Sequence, residues 1–171
     1  MTVTLTGFMG SGKSRTGKEL ARLLGWEFVD LDRYIEHKAG KSIAEIFEAD
    51  SEEYFRALEA EAVRDLVTMR QITGESLVLS LGGGTIMTGA IRPLILEQTF
   101  CVYLQTSLDT VLGRVGGRNR NRPMLQGKYR TEELLDARTP VYEMAALTVR
   151  TDGRTPEEVA AEIFESMKKL R

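Results

Sequence analysis

Residues Gly7-Phe8-Met9-Gly10-Ser11-Gly12-Lys13-Ser14 fit the phosphate-loop pattern G-x-x-x-x-G-K-[ST], and both flanks suit it. An apolar β-type run, Val3–Thr6, precedes the loop, and a helical pattern with Leu20, Leu23 and Leu24 on one face follows it. Glycines at 7, 10 and 12 permit φ > 0 and close approach, so successive N–H groups can turn inward around phosphate while the helix N-terminus faces the anion. Strand, glycine loop, helix is therefore required here, and the implied ligand is a nucleoside triphosphate. Lys13 adds a mobile positive charge near the β/γ-phosphates, and the Ser14 hydroxyl can ligate Mg²⁺. Gly10, Ser11, Gly12 and Arg15 complete the expected phosphate-contacting set.

The alternation continues along the chain. β-type runs at 28–30, 77–81, 100–105 and 147–150 are each followed by helical patterns: 33–39 and 42–69, then 89–98, 107–115 and 156–170. Strand–helix alternation implies an α/β fold, a five-stranded parallel sheet with helices on both faces. Helix punctuation supports the register: Ser42 with Glu45 reads as a capping box, and Thr155-Pro156-Glu157-Glu158 combines an N-cap, proline at N1 and glutamate at N3. No internal repeat or linker interrupts the pattern, so residues 1–171 read as one domain.

Composition excludes several classes. A hydrophobic fraction of 42% with 28% charged residues is globular, and no apolar run approaches the ~20 residues that span a membrane. The N-terminus enters the first strand at once, leaving no room for a signal peptide. The single cysteine, Cys101, sits in an apolar run and reads as a buried structural thiol, which favours a reducing cytoplasm. A net charge of −2 gives no global reason to bind nucleic acid or a membrane surface. Nothing demands more than a monomer. His37, the only histidine, falls in a polar helical stretch and reads as a surface residue.

One segment departs from this balance. Between Thr110 and Thr131 there is no Asp or Glu, while Arg114, Arg118, Arg120, Arg122, Lys128 and Arg130 all lie inside, among four glycines and Pro123. That composition reads as a loop rather than a helix, either a solvated surface or, beside a phosphate loop, a mobile lid over about 114–128 that closes on ATP.

Ligands of such sheets gather at the carboxyl ends of the strands. The second run ends in Asp30-Leu31-Asp32, so two carboxylates can emerge near the phosphate loop. One could serve Mg²⁺, a hard ion that takes oxygen ligands, and the other an acceptor hydroxyl; either could instead cap the next helix. The third run carries no acid and ends at Gly82-Gly83-Gly84, read as a close-approach surface for a ligand or as a flexible turn, so the metal duty falls to Asp30. Arg56 and Glu59 stand three apart on a helical pattern, where Glu59 can orient the guanidinium or the two can form a surface pair.

Together these motifs resemble the shikimate kinase family, in order from the first strand to the last helix. The further signs are Arg122-Pro123-Met124-Leu125 and Arg138-Thr139-Pro140-Val141-Tyr142. The resemblance implies a phosphate-loop kinase of the nucleoside-monophosphate-kinase type, transferring phosphate from ATP to the 3-hydroxyl of shikimate on the route to chorismate. It assigns Asp32 to the substrate hydroxyls as base, Arg56 and Arg138 to the carboxylate, and Gly82, Gly83 and Gly84 to the pocket, with a substrate-binding helical segment over about 33–60. It further assigns Arg122 to substrate and transferring phosphate, Arg114 to the adenine face, and Arg154-Thr155-Pro156 to the other side of that base. Met124 departs from the family's usual leucine, and the stretch from Arg114 to Arg122 looks about one residue long. A GTP switch would want N-K-x-D, which the chain lacks, and an RNA-binding protein would want aromatics interleaved with the arginines.

Overall fold

The computed structural model describes residues 1–116 and 128–169. Five strands, β1 (Thr2–Thr6), β2 (Glu27–Asp30), β3 (Leu77–Ser80), β4 (Phe100–Gln105) and β5 (Leu147–Arg150), form one sheet in the order β2-β3-β1-β4-β5, and every pairing is parallel. Side chains alternate across the sheet, so one strand feeds two cores. Val3, Leu5, Val78, Val102 and Leu104 pack on one face with α1 (Lys13–Leu24) and α8 (Pro156–Lys169). Leu77, Leu79, Cys101 and Tyr103 point the other way, into a cluster with α2 (Leu31–Ala39), α4 (Glu52–Thr73) and α5 (Arg92–Gln98). Helices on both faces match the expected architecture.

The chain crosses from one side of β1 to the other between β3 and β4, so the carboxyl end of β1 lies at the point where strand order reverses. The phosphate loop begins there. The caps also fall where the sequence puts them: Ser42 and Glu45 close a capping box on α3 (Ile43–Ala49), and Thr155 and Glu158 exchange hydrogen bonds at the start of α8.

Three expectations change. The pattern over 42–69 is two helices, because Asp50 is extended and Ser51 starts α4 by accepting from the Tyr54 N–H. The helix expected from Arg33 begins at Leu31, which puts Asp32 in its first turn. The basic segment is not loop throughout: α6 (Leu108–Gly116) carries Arg114, and Arg130 lies in an unanticipated helix, α7 (Lys128–Tyr142). That helix shows no apolar stripe, because it buries Thr131 and Arg138 as well as Tyr142, and Pro140 inside it reads as a breaker.

Candidate active site

A cleft of about 720 Å³ opens along the carboxyl ends of the strands. Its floor is the phosphate loop, with Gly10 to Arg15 in the lining together with Asp30, Asp32, Gly82 and Gly83. Gly7 has φ 140°, and a Cβ there would sit 2.6 Å from the Leu104 carbonyl oxygen, so only glycine fits between the loop and β4. Lys13 donates from Nζ to the carbonyls of Gly7 (2.7 Å) and Phe8 (2.9 Å), which folds its charge over the loop. The Ser11 hydroxyl is buried in this lining with no hydrogen-bond partner among the described residues, a polar atom suited to a ligand oxygen.

Ser14 Oγ donates to Asp30 Oδ2 at 2.5 Å, and Asp30 Oδ1 accepts from the Arg33 N–H at 3.4 Å. The capping reading of Asp30 holds, since one oxygen caps α2, and the other oxygen meets the phosphate-loop serine. Two hard oxygen donors bordering the cleft, with no cluster of three or more His, Cys, Asp or Glu among the described residues, suit an ion that keeps most of its waters.

The other end of the cleft is built from side chains. Glu59 is 1% exposed; one carboxylate oxygen accepts from Arg56 Nη1 and the other from Thr85 Oγ1 at 2.6 Å. Arg56 also donates to Glu52 at 3.2 Å. Burial works against the Arg56 charge, but the carboxylates of Glu59 and Glu52 outweigh it and hold the guanidinium above its ordinary value. The glycine run threads between these groups. A Cβ on Gly82 would lie 2.9–3.0 Å from Thr85 Oγ1, Asp32 Oδ1 and Glu59 Oε1, and one on Gly84 would lie 2.8 Å from Arg56 Nη2. Across the run, Arg138 Nη1 lies 3.7 Å from the Cβ position of Gly83, and the Arg138 guanidinium stands 5.9 Å from the Phe8 ring centre. Asp32, Gly82 and Gly83 thus line the cleft directly, whereas Gly84, Arg56 and Arg138 stand beside that lining, against the glycine run.

At the opposite rim Arg114 donates to the carbonyls of Gly10 (3.0 Å) and Thr151 (3.5 Å), and Arg154 and Pro156 join the lining. Arg154 donates from Nη1 to the Arg150 carbonyl and to Glu162 (2.6 Å) and from Nη2 to the Glu158 carbonyl, bonds that fix its guanidinium at this rim. Asp152 accepts from the Ser107 N–H and hydroxyl and so holds the start of the helix bearing Arg114. Burial opposes the Asp152 charge, yet those bonds, Thr110 and Arg114 hold its carboxyl below the usual range. Arg122 and its neighbours over 117–127 lie outside the described residues. The sequence reading passed over Thr85, Tyr142 and Asp152; Thr85 was findable as the residue after the glycine run, and Tyr142 as the unused member of the Arg138–Tyr142 motif.

Residues away from the cleft behave as bland readings require. His37 is exposed, and Cys101 is fully buried with its thiol pushed up to about 11 by burial. Among the described residues no helix is long and apolar enough to cross a membrane.

A phosphate cradle on a parallel sheet, opposite an aspartate and a bare glycine run with two arginines against it, defines an ATP-dependent phosphate-loop kinase of small molecules. The family model described as Shikimate kinase matches residues 9–168. A shikimate kinase of Thermus thermophilus is 49% identical over 168 residues, 96% of this chain and 89% of that protein, and one of Moorella thermoacetica is 40% identical over 97% and 94%. The solved shikimate kinase of Acinetobacter baumannii, in complex with shikimate, superposes with a TM-score of 0.90 at 34% identity over 99% of this chain and 94% of that one. The chain belongs to the shikimate kinase family.

Proposed function

We propose that this chain transfers the γ-phosphoryl group of ATP to the 3-hydroxyl of shikimate, giving shikimate 3-phosphate and ADP, in aromatic amino acid biosynthesis. The observation that carries the reading is the meeting, around one glycine run, of Asp32 with two arginines brought from distant helices, opposite a phosphate loop. Planar guanidinium forks bind a carboxylate bidentately, and an aspartate accepts from vicinal hydroxyls. A carboxylated polyol is the acceptor such groups select.

In this reading the loop N–H groups from Gly10 to Ser14, with Arg15 at their edge, hold the phosphates. Lys13 exchanges its bonds to the Gly7 and Phe8 carbonyls for the transferring phosphate. Asp32 takes the proton of the attacking hydroxyl, while Arg56 and Arg138 fix the carboxylate at the far side of the ring. Gly82, Gly83 and Gly84 let the ring lie against backbone. Arg114 and the Arg154–Pro156 segment flank the adenine, and the helical segment over about 33–60 supplies Asp32 and Arg56. Ser14 and Asp30 would hold Mg²⁺, which when bound neutralises charge across the β- and γ-phosphates. Arg122 is assigned to the transferring phosphate, and the lid to about 114–128, on the family resemblance alone.

The residues assigned to both substrates all belong to one chain, so the reading calls for no more than a monomer, and the near-neutral charge supports small molecules rather than nucleic acid or membrane as partners. ATP use and a single buried thiol suit the cytoplasm. Purified protein offered shikimate, quinate, gluconate and AMP with ATP should phosphorylate shikimate in strong preference; comparable turnover of gluconate or AMP would overturn the assignment. Arg56→Lys keeps the charge and loses the fork, so shikimate KM should rise much more than ATP KM. Equal changes in both would remove Arg56 from the acceptor site.

A further inference from the structure

Tyr142 lies at the end of α7, completely buried, and the assigned chemistry leaves it without a task. Its ring packs on Tyr103 of β4 with centroids 5.1 Å apart and planes at 22°, so the side chain has one position. Its hydroxyl donates to the carbonyl of Gly83 at 2.5 Å. A phenol has a single proton, and with that proton committed to Gly83 the oxygen can only accept from other groups. The cation that faces it is Arg138, one helical turn back on α7, whose Nη1 stands 3.7 Å from the Cβ position of the same Gly83 and whose charge acts on the Tyr142 hydroxyl.

The groups form a chain: Arg138 beside the Tyr142 hydroxyl and Gly83, and the Tyr142 proton on the backbone of the glycine run. One end is an arginine read as a carboxylate ligand, and the other is the surface on which the ring would lie. We infer that Tyr142 is a positioning residue for the acceptor substrate, its hydroxyl setting the guanidinium of Arg138 and the carbonyl of Gly83 relative to one another. This rests on the reading of Arg138 as a ligand of the shikimate carboxylate.

Several features fit the role better than a plain structural tie. The Phe8 ring lies beneath Arg138, 5.9 Å away, and a ring face does not fix the rotation of a guanidinium plane. A neutral oxygen does, without spending the charge that the carboxylate needs. Burial pushes the hydroxyl up to about 12 even with Arg138 beside it, so it remains a neutral donor at any working pH. Arg56, on the other side of the run, is oriented by the Glu59 carboxylate instead. The two arginines are thus steadied by different chemistry, one by charge and one by a phenol.

The test measures kcat and both KM values, with thermal unfolding midpoints, for wild type, Tyr142→Phe, Arg138→Lys, their double variant, and the protein with p-aminophenylalanine at position 142. Tyr142→Phe keeps the ring stack and loses only the oxygen; shikimate KM should rise about tenfold, the worth of one hydrogen bond to a charged group, with ATP KM changed less than about twofold. p-Aminophenylalanine still donates to Gly83 but accepts poorly, so it should retain the wild-type midpoint and still raise shikimate KM severalfold. It carries the test alone if Tyr142→Phe does not fold. Arg138→Lys should raise shikimate KM further, and adding Tyr142→Phe to it should change little more. Unchanged shikimate KM in the position-142 variants, or an effect that persists in full beside Arg138→Lys, overturns the inference while Arg138 remains a ligand. No effect of Arg138→Lys on shikimate KM overturns the underlying reading instead.

Discussion

The two ends of the cleft are built from different materials. At the nucleotide end the wall is backbone: Gly7, Gly10 and Gly12 hold φ of 140°, 78° and 94°, and residues between β1 and α1 line the cavity within one short stretch of chain. At the acceptor end it is side chains, drawn from α2, α4 and α7 and set around a glycine run that offers only its surface. A phosphate is a compact anion that any correctly curved backbone can hold. A carboxylated polyol must be told apart from its isomers, which takes side-chain groups at separate points. Generality is local in this molecule, and specificity is long-range.

Lys13→Ala strikes the nucleotide end hardest and should cause the largest effect. It removes a preorganised charge aimed at the transferring phosphate, so kcat should fall on the order of 10²–10³ or more while the fold stays intact. Steady-state kinetics with a circular dichroism control decide it; near-normal kcat would remove Lys13 from the chemistry.

Glu59→Ala strikes the acceptor end through its support. Breaking a buried ion pair by removing one member costs about 3–5 kcal/mol, and the low end applies because the Arg56 side chain keeps 24% of its exposure. Urea unfolding should show that loss along with a raised shikimate KM. Glu19 and Arg22 have the same i,i+3 spacing but are 28% and 68% exposed, so Glu19→Ala should cost less than about 1 kcal/mol. Equal costs would mean that burial does not distinguish the two pairs.

That contrast shows where sequence reading stops. Spacing alone gives both pairs the same surface interpretation, and only the fold buries Glu59 beneath Gly82. The phosphate loop was legible because its determinants are contiguous, and Asp30 and Asp32 because a strand end places neighbours together. Strand order was not legible, since it depends on which crossovers pack. Helix α7 escaped because its buried face includes Thr131 and Arg138, so the apolar period that marks a helix is missing, and Pro140 signals a stop. The break before α4 was legible in principle: Ser51 followed by Glu52 and Glu53 is an N-cap with an acidic first turn.

A smaller effect separates the glycines of the two ends. At Gly7 an added Cβ meets the Leu104 carbonyl in a conformation L-residues avoid, so Gly7→Ala should destabilise by about 1–3 kcal/mol and impair ATP use. At Gly84 the backbone is right-handed helical and the nearest atoms a Cβ would meet belong to the tip of Arg56. Gly84→Ala should fold with stability within about 0.5 kcal/mol of wild type, and should raise shikimate KM while leaving ATP KM unchanged. A raised ATP KM in Gly84→Ala would blur the division between backbone and side-chain ends.

The smallest effect is one of pH and belongs to the acceptor end. Tyr142 titrates near 10 when unfolded and is pushed up to about 12 in the fold, chiefly by burial. The folded state holds the proton more tightly, so the contribution is fully present below pH 10 and is lost as pH rises from 10 through 12. By pH 11 the unfolded tyrosine is mostly ionised and the folded one mostly neutral, which should remove about 1 kcal/mol of stability relative to pH 9. Cys101, pushed up to about 11, adds a loss of the same sign at somewhat lower pH, but it is present in both proteins of the comparison. The stability gap between wild type and Tyr142→Phe, from urea unfolding, should therefore narrow by about 1 kcal/mol between pH 9 and pH 11. A gap that stays constant would mean that the hydroxyl is not held neutral by the fold, and the donor to Gly83 would lose its physical basis.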